Sequence, residues 1–166
     1  MEMSGKHRRV KKAAVKYEAF FLYNDEIINL FYAVRGTVNP YTNLTKLFHV
    51  TTRYMPEHDM RELYGTEVTV HIFAYKNGTA AADDGGVTSN EGFFCTVSSD
   101  NPRLQQFIDG LNKRWHITGS YEHNAKYTEY LDLTDAEPVD FTVLGRFGGF
   151  FTDGQVYFSD PSANNY

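Results

Sequence analysis

Apolar residues along this chain alternate with polar ones in short runs, which is the two-residue period of β-strands. Runs rich in aromatic and β-branched residues predict strands at 17–23, 46–54, 67–75, 92–97 and 115–121. The segment 141–158 adds two or three more strands around a Thr-Asp-Gly turn. Short strands joined by hairpins, with few helices between them, are typical of the α+β class.

Two segments show helical spacing instead of alternation. The first covers 26–34 and follows an Asn-Asp pair that is suited to cap a helix. The second, 99–115, starts with Ser-Asp-Asn-Pro, which supplies a cap and a first-turn proline, and it places its apolar residues on one face. We predict a helix in each segment.

Turn-forming residues predict where the strands end. The Lys-Asn-Gly sequence at 76–78 predicts the end of the third strand, and the polar, glycine-containing stretch 77–92 predicts a loop. Pro138 predicts a break before the last strands, because proline lacks a backbone N–H.

The length of 166 residues, 42% of them hydrophobic, suits one globular domain. The first 16 residues carry six of the 16 basic residues against one acidic residue, so they have a charge of +5 and leave −10 on the rest. We predict a flexible basic arm at 1–16 and a single domain at 17–166. An acidic domain is a poor partner for long nucleic acid, which only the arm would bind, whereas small phosphorylated ligands remain compatible.

From the composition we expect neither a membrane protein nor a secreted one. No stretch approaches the roughly 20 apolar residues that span a bilayer, and the charged N-terminus lacks the apolar region of a signal peptide. We therefore expect a cytoplasmic protein without a membrane partner. The single cysteine, Cys95, lies in an apolar run, so we expect a buried structural thiol and no disulfide.

The sequences Phe-His-Val-Thr and Trp-His-Ile-Thr follow one pattern: an aromatic residue, a histidine, a branched aliphatic residue and a threonine. On a strand, His49 and Thr51 point to one face, and His116 and Thr118 do the same. The interval between the histidines has room for a strand and a helix, so both strands can face one cleft. We predict that these four residues form a functional site; the alternative is two core histidines.

Three further residues extend this predicted site. Arg53 continues the face of His49, and Ser120 continues the face of His116, so both are candidates for contacts with phosphate or ribose. The alternative for Arg53 is an ordinary surface position on the strand. Tyr121 is a candidate for stacking on a base.

Neighbouring residues supply weaker candidates. Tyr54 and Trp115 also lie beside the motifs, and we expect Trp115 to pack in the core. Glu57, His58 and Asp59 are consecutive, and consecutive side chains on an irregular segment seldom converge on one ion. No metal site is predicted.

With its two His-x-Thr motifs, the chain resembles the 2H phosphoesterase superfamily, which carries such a motif on a strand of each of two similar lobes. The resemblance covers most of 17–158, including the helix before the second motif and the late glycine-rich hairpin. It implies a bilobal fold in which two antiparallel sheets with flanking helices surround a central cleft. The most similar members are phage anti-CBASS phosphodiesterases and the cyclic phosphodiesterase domains of RNA repair.

Two imidazoles with an ordinary pKa of about 6.5 can serve as a general acid and a general base at neutral pH. One would take a proton from the attacking oxygen and the other would protonate the leaving oxygen; which does which is open. Thr51 and Thr118 would donate hydrogen bonds to phosphate oxygens, and no metal or cofactor is required. The expected substrates are cyclic nucleotides or cyclic oligonucleotides. The alternatives are 2′,3′-cyclic RNA ends, or nucleotide or RNA binding without turnover.

Overall fold

The structure, a computed structural model, describes residues 13–164. Most of the predicted basic arm therefore lies outside the described residues. At its described end, Val15 and Lys16 already belong to the first strand.

Within this range the chain forms eight β-strands and two α-helices, with short 3-10 helices between them. In chain order the elements are β1 (Val15–Leu22), α1 (Asn24–Arg35), β2 (Asn43–Leu44), β3 (His49–Tyr54), β4 (Glu67–Ala81), β5 (Val87–Ser98), α2 (Pro102–Leu111), β6 (His116–Tyr121), β7 (Glu137–Phe151) and β8 (Val156–Tyr157). The 3-10 helices cover Arg61–Leu63, Ala125–Tyr130 and Pro161–Asn164.

The eight strands form one antiparallel sheet in the order β2-β6-β5-β4-β7-β1-β3, with β8 paired to β7. The α+β class predicted from the sequence is therefore confirmed. The prediction of two separate sheets is corrected, because hydrogen bonds between β4 and β7 join the two halves into one sheet. The two motif strands have equivalent places on either side of this central pair, since β6 is the second strand outward from β4 and β3 is the second strand outward from β7.

The sheet curves until strands from its two ends meet. In a flat sheet β3 and β6 would lie about 24 Å apart, because each step between neighbouring strands is about 4.8 Å. Instead, the Nζ of Lys113, which precedes β6, donates to the carbonyl oxygens of Thr51 and Thr52 in β3 at 3.0 and 3.1 Å. The connection from β2 to β3 crosses the same gap, where the Thr45 N–H donates to the Gly119 carbonyl at 3.0 Å. The two motif strands therefore lie side by side.

One face of the sheet packs into the core, as the alternation of apolar residues predicts. Val50 of β3 and Ile117 of β6 are completely buried on this face. Both helices cover it with their buried residues, which are Ile27 and Phe31 in α1 and Leu104 and Ile108 in α2. Because neighbouring residues on a strand point in opposite directions, the histidines beside Val50 and Ile117 face away from this core.

The predicted end of the third strand and the predicted loop after it are wrong. β4 continues to Ala81 and forms a long hairpin with β5 that closes over residues 82–86. Asn77 pairs with Glu91, so the Lys-Asn-Gly sequence lies inside the ladder, where cross-strand pairing outweighs its turn propensity. Pro138 does not break the chain either, because it is the second residue of β7 and lies next to a bulge in the pairing with β4, where a missing N–H is tolerated.

Both α-helices lie where the sequence predicts them, with differences at their ends. The Asn101 side chain caps α2 by accepting from two first-turn N–H groups, and the helix ends at Leu111, before the basic residues that lead to β6. Asn24 does not cap α1. Its side chain instead donates to the Lys46 carbonyl and accepts from the Phe48 N–H, which fixes the entry into β3.

Candidate active site

The two motif histidines hold the same place in their strands, since His49 is the first residue of β3 and His116 the first of β6. They line one small cavity of about 30 Å³. Its other lining residues are Thr45, Thr51, Tyr54, Thr118 and Ala125. The structure thus brings all four motif residues to one cavity, whose volume suits about one water molecule or one phosphate oxygen.

Each imidazole is held by the carbonyl oxygen two residues before it. The Nδ1 of His49 lies 2.7 Å from the Leu47 oxygen, and the Nδ1 of His116 lies 3.1 Å from the Arg114 oxygen. Because a carbonyl oxygen only accepts, Nδ1 carries the proton in both rings, and Nε2 is unprotonated when the ring is neutral. Both histidines therefore keep Nε2 for a ligand.

Stacking also orients the His49 ring. The ring of Tyr17 in β1 stacks on it with centroids 4.9 Å apart, and Phe21 lies 5.8 Å away. Tyr17 in turn stacks on Phe150 at 5.1 Å. Burial, and then the charge of Tyr54, raises the pKa of Tyr17 to about 12, so this phenol stays neutral. Tyr17 could not be identified from the sequence, because its place beside His49 depends on the register between β1 and β3.

The pKa of both imidazoles is well below the ordinary value. Burial lowers the pKa of His49 to about 4; the hydrogen bond to Leu47 opposes this shift and His116 adds to it. Burial likewise lowers the pKa of His116 to about 4, against the bond to the Arg114 carbonyl and with the help of the Lys113 and Arg114 charges. In the unliganded protein both histidines are therefore neutral at pH 7.

Two cations lie beside His116. Lys113 bridges to β3, and its Nζ lies 5.8 Å from the centre of the Trp115 ring, where burial lowers the pKa of the amine. Arg114 donates to two backbone carbonyls and lies 5.3 Å from the centre of the Phe94 ring. These charges make the cavity attractive to an anion in a protein that is acidic as a whole.

The two motif threonines have different surroundings. The Oγ1 of Thr118 lies 3.1 Å from the Ala125 carbonyl oxygen and 2.9 Å from the Oγ1 of Thr128. Thr51 is 9% exposed, and its hydroxyl makes no hydrogen bond with residues 13–164. The Thr51 hydroxyl is thus available to a ligand, whereas that of Thr118 already has partners within the protein.

A bulge in β3 moves Arg53 away from the cavity. The register between β1 and β3 shifts by one residue at Thr52, which interrupts the alternation of side chains. Arg53 consequently lies on the side opposite His49, where it donates to Glu18 at 3.0 Å and covers the Phe107 ring at 4.9 Å. The prediction that Arg53 contacts the substrate is corrected: its guanidinium forms a structural ion pair.

A matching bulge follows Thr118 in β6, where two residues face one residue of β5. Ser120 is 1% exposed, and its N–H and hydroxyl both donate to the Oε2 of Glu91, at 2.9 and 2.8 Å. The prediction that Ser120 binds substrate is therefore corrected as well. A Cβ at Gly119 would lie 2.7 Å from the same carboxylate oxygen, so only glycine fits beside Thr118.

Both bulges lie next to a completely buried glutamate, Glu18 in β1 and Glu91 in β5. Each carboxylate accepts hydrogen bonds from an arginine and a tyrosine, which are Arg53 and Tyr64 for Glu18 and Arg35 and Tyr75 for Glu91. A buried charge is tolerated only when it is paired and hydrogen-bonded in this way. The two glutamates therefore support the backbone that presents the motifs.

Tyr121 is half-buried at the end of β6, opposite Asn43 and Asn90, and is not a lining residue of the cavity. The structure therefore does not bring it to the motif residues. Tyr54 does line the cavity, because the β3 bulge returns it to the face of Thr51, and it is 57% exposed. An exposed aromatic ring beside the histidines can stack on a base.

Thr45 is a lining residue that sequence reasoning missed. Its Oγ1 is buried and has no hydrogen-bond partner within residues 13–164. A buried hydroxyl without a partner costs stability and is rare, so it is informative where it borders a cavity. Thr45 lies outside both motifs, on the irregular connection to β3, and no local pattern marks it.

The remaining candidates are structural or exposed. Cys95 is buried, and burial raises the pKa of its thiol. Glu57 and His58 form an exposed pair at 3.7 Å, and Asp59 pairs with Arg61 at 2.9 Å. Among residues 13–164 no three His, Cys, Asp or Glu side chains are grouped to hold a metal ion, and no helix of this range has the length and apolar character to cross a bilayer.

The two imidazoles, held alike and lining one cavity, are the main chemical feature of the described chain. Comparisons with family models, with curated proteins and with solved structures give no match for this chain. A function is therefore inferred from the site itself.

Proposed function

We propose that this protein is a metal-independent phosphodiesterase that cleaves small cyclic nucleotides or cyclic oligonucleotides. The observation that carries this proposal is the pairing of His49 and His116. Each fixes its Nδ1 on its own backbone, each keeps Nε2 available, and both line one cavity. Two such imidazoles on either side of a phosphorus atom can act as base and acid in one displacement.

In the proposed reaction, one Nε2 takes the proton of the attacking oxygen as that oxygen forms a bond to phosphorus. The attacking oxygen belongs to water or to a 2′-hydroxyl of the substrate. The other imidazole, protonated on Nε2, gives its proton to the leaving ribose oxygen as the old P–O bond breaks. The protein thus ends with one protonated and one neutral imidazole in exchanged roles.

The acid role requires a proton that the unliganded site does not hold at pH 7. With a pKa of about 4 for each imidazole, protonating one of them at pH 7 costs about 4 kcal/mol. A bound phosphodiester carries a negative charge, which favours the imidazolium and raises its pKa. Substrate binding therefore prepares the acid in this proposal.

Donors for the phosphate oxygens surround the histidines. The Thr51 and Thr45 hydroxyls line the cavity without a partner among residues 13–164, and both can donate to a non-bridging oxygen. Lys113 adds a positive charge beside His116. In this proposal Thr118 holds the Ala125–Tyr130 segment in place, and a rotation of its hydroxyl would turn it towards the phosphate.

The strand order supports the resemblance to 2H phosphoesterases. In each half, a strand is followed by a helix and later by a motif strand that pairs antiparallel with the first. These elements are β5, α2 and β6 in one half and β1, α1 and β3 in the other, where the two-residue β2 lies between α1 and β3. We interpret these halves as the two lobes of a bilobal 2H fold, with the cavity as the base of the cleft between them.

The charge of the chain favours a small substrate. Outside its first 16 residues the chain has a net charge of −10, which repels a long phosphate backbone. Within the 2H class we therefore favour cyclic oligonucleotide messengers over RNA ends, and we place the reaction in the cytoplasm, that of the host if the protein is viral.

The test is incubation of the full-length protein with cyclic dinucleotides, cyclic trinucleotides and 2′,3′-cyclic mononucleotides in the presence of EDTA, with products separated by chromatography. We expect products from at least one class, and EDTA should not reduce the rate. Binding without products would instead support a nucleotide-binding module. Activity that EDTA abolishes would contradict the metal-independent mechanism.

A further inference from the structure

A second cavity lies next to His49. Its volume is about 320 Å³, and its walls are mostly apolar. Three of the lining side chains, Phe21, Tyr23 and Phe158, are aromatic, and two, Glu67 and Arg146, are charged. Pockets of about 300 Å³ or more with apolar walls and a few polar groups are typical small-molecule sites. We call it the Phe158 pocket.

The Phe158 pocket adjoins the His49 site directly. Leu47, whose carbonyl holds the His49 Nδ1 at 2.7 Å, lines it, and so does Phe21, whose ring centre lies 5.8 Å from that of His49. The Phe158 ring lies 5.7 Å beyond Phe21, edge to face. A ligand that reaches from the histidines into this pocket therefore crosses the width of about one aromatic ring.

The charged residues of the pocket are available to a ligand. Arg146 is exposed, with its guanidinium 5.3 Å from the Phe158 ring centre. Glu67 is its register partner on β4 and is also exposed. Neither forms a salt bridge with any side chain of residues 13–164. An arginine can bind phosphate or stack on a base, and a carboxylate accepts from the amino group of a base.

Aromatic surfaces thus lie on both sides of His49. Tyr17 and Tyr54 lie towards the end of β3, and Phe21 leads to the Phe158 pocket at its beginning. A 2′,3′-cyclic mononucleotide has one base and would use one of these surfaces. A substrate in which the reacting phosphate joins two nucleosides has two bases, one for each of the two aromatic surfaces.

We infer that the Phe158 pocket binds the second nucleoside of an internucleotide linkage whose phosphate lies between His49 and His116. This inference rests on the proposed function and makes dinucleotide and larger molecules the preferred substrates over mononucleotides. The base packs against Phe21 and Phe158, Glu67 accepts from its amino group, and Arg146 contacts the next phosphate.

The experiment compares cyclic di-AMP with 2′,3′-cyclic AMP as substrates for wild type, Arg146→Met and Phe158→Leu. Both variants should lower kcat/KM for cyclic di-AMP at least tenfold more than for 2′,3′-cyclic AMP. Arg103→Met is the matched control. Arg103 is an exposed arginine that pairs with Glu62 at 2.7 Å and lines neither cavity, so its removal should leave both rates unchanged.

Equal losses on both substrates, or no loss on cyclic di-AMP, would overturn the inference while leaving the proposed function intact. A binding measurement tests the pocket separately from the proposed function. In His116→Ala protein, titration with cyclic di-AMP should show saturable binding that Arg146→Met weakens at least tenfold. If the wild type cleaves neither these two substrates nor any other cyclic dinucleotide, cyclic trinucleotide or 2′,3′-cyclic mononucleotide, the proposed function fails, and this titration alone decides for or against the pocket.

Discussion

Lys113 donates a hydrogen bond from its Nζ to the carbonyl oxygen of Thr51 at 3.0 Å, and so joins the approach to one motif strand to the backbone of the other. A second bond, to Thr52, has a length of 3.1 Å. These bonds link strands from opposite ends of the sheet order. We therefore expect this lysine to help set the distance between the two histidines.

Lys113→Met should lower both stability and turnover. Hydrogen bonds from a charged group contribute about 1.5–3 kcal/mol, so we expect a loss of that size in the free energy of unfolding, measured by urea denaturation. The matched control is Lys76→Met, which removes a similar bond to the Thr134 carbonyl on the exposed surface. We expect the control to change stability by about 0.5 kcal/mol or less. Equal losses in the two variants would show that Lys113 does not hold the strands together.

His49→Ala and His116→Ala should each reduce kcat at least about 10²-fold, because each removes one partner in proton transfer. The double variant should be little worse than either single variant, since residues that act as a unit are not additive. Circular dichroism should show an unchanged fold. His71→Ala is the control, because His71 pairs with Asp140 at the surface and does not line the cavity. Full activity in either single variant would refute the mechanism.

The pH dependence of turnover follows from the low pKa values of the two imidazoles. In the proposed mechanism the active form of the free protein has one neutral and one protonated histidine, and with both pKa values at about 4 this form declines above that pH. We therefore expect kcat/KM to fall about tenfold per pH unit above about pH 5. Because bound phosphate raises the pKa of the acid, kcat should fall only at higher pH. Rates between pH 4 and 8 test this, and a flat kcat/KM would exclude a histidine acid.

The stability of the fold should rise with pH, whereas turnover should fall. A histidine has a pKa of about 6.5 in the unfolded chain and about 4 in the folded protein, so between these values the unfolded state binds more protons. The contribution of the two neutral histidines to the free energy of unfolding is therefore fully present above pH 6.5. It is lost as the pH falls towards 4, by at most about 3 kcal/mol for each histidine.

Urea denaturation at a series of pH values checks this second dependence. His49→Gln and His116→Gln remove the titrating groups at similar size, and each should flatten the curve between pH 6.5 and 4. An unchanged slope in both variants would mean that other groups cause the loss.

Thr45→Val should stabilise the protein and impair its activity. Valine has the same shape but no hydroxyl, so the variant removes a buried polar atom without a partner, a change worth about 1 kcal/mol. If the hydroxyl donates to the phosphate, kcat/KM should fall about tenfold or more. Thr142→Val, at an exposed position of β7, should change neither quantity. The midpoint of thermal unfolding compares the stability of the variants with that of the wild type. If Thr45→Val is more stable and fully active, Thr45 has no role in the reaction.

Much of the fold and the central pair of the site could be predicted from local pattern. Alternation located the motif strands, and the aliphatic residue between each histidine and threonine indicated which way the histidines point. Asn101 and its neighbours located α2 for an equally local reason, since the cap lies within one turn of the residues that it serves.

The positions of Arg53 and Ser120 could not be predicted, because each follows a bulge that arises from pairing with another strand. One extra residue reverses the alternation after it. In β6 a local signal did exist, since a glycine after Thr118 is unusual within a strand and often marks a bulge. In β3 the extra residue is Thr52, which carries no such mark.

The long β4–β5 hairpin was missed for a related reason. Its outer part has the composition of a loop and is stabilised by the ladder between Thr79 and Ser89 and its neighbours rather than by its own propensity. Thr45 was missed because its importance comes from what its hydroxyl lacks, and only the three-dimensional surroundings can reveal that.

Each imidazole takes its direction from a carbonyl two positions earlier in the same stretch of chain. The orientation of each ring is therefore determined locally, within three consecutive residues. The distance between the two rings is determined by the whole sheet, whose curvature brings the two strands together. Damage to the sheet would then give a protein whose two imidazoles keep their orientation but lie too far apart for the proposed reaction. Such a protein would be a candidate for chemical rescue by free imidazole, which can diffuse into the widened gap.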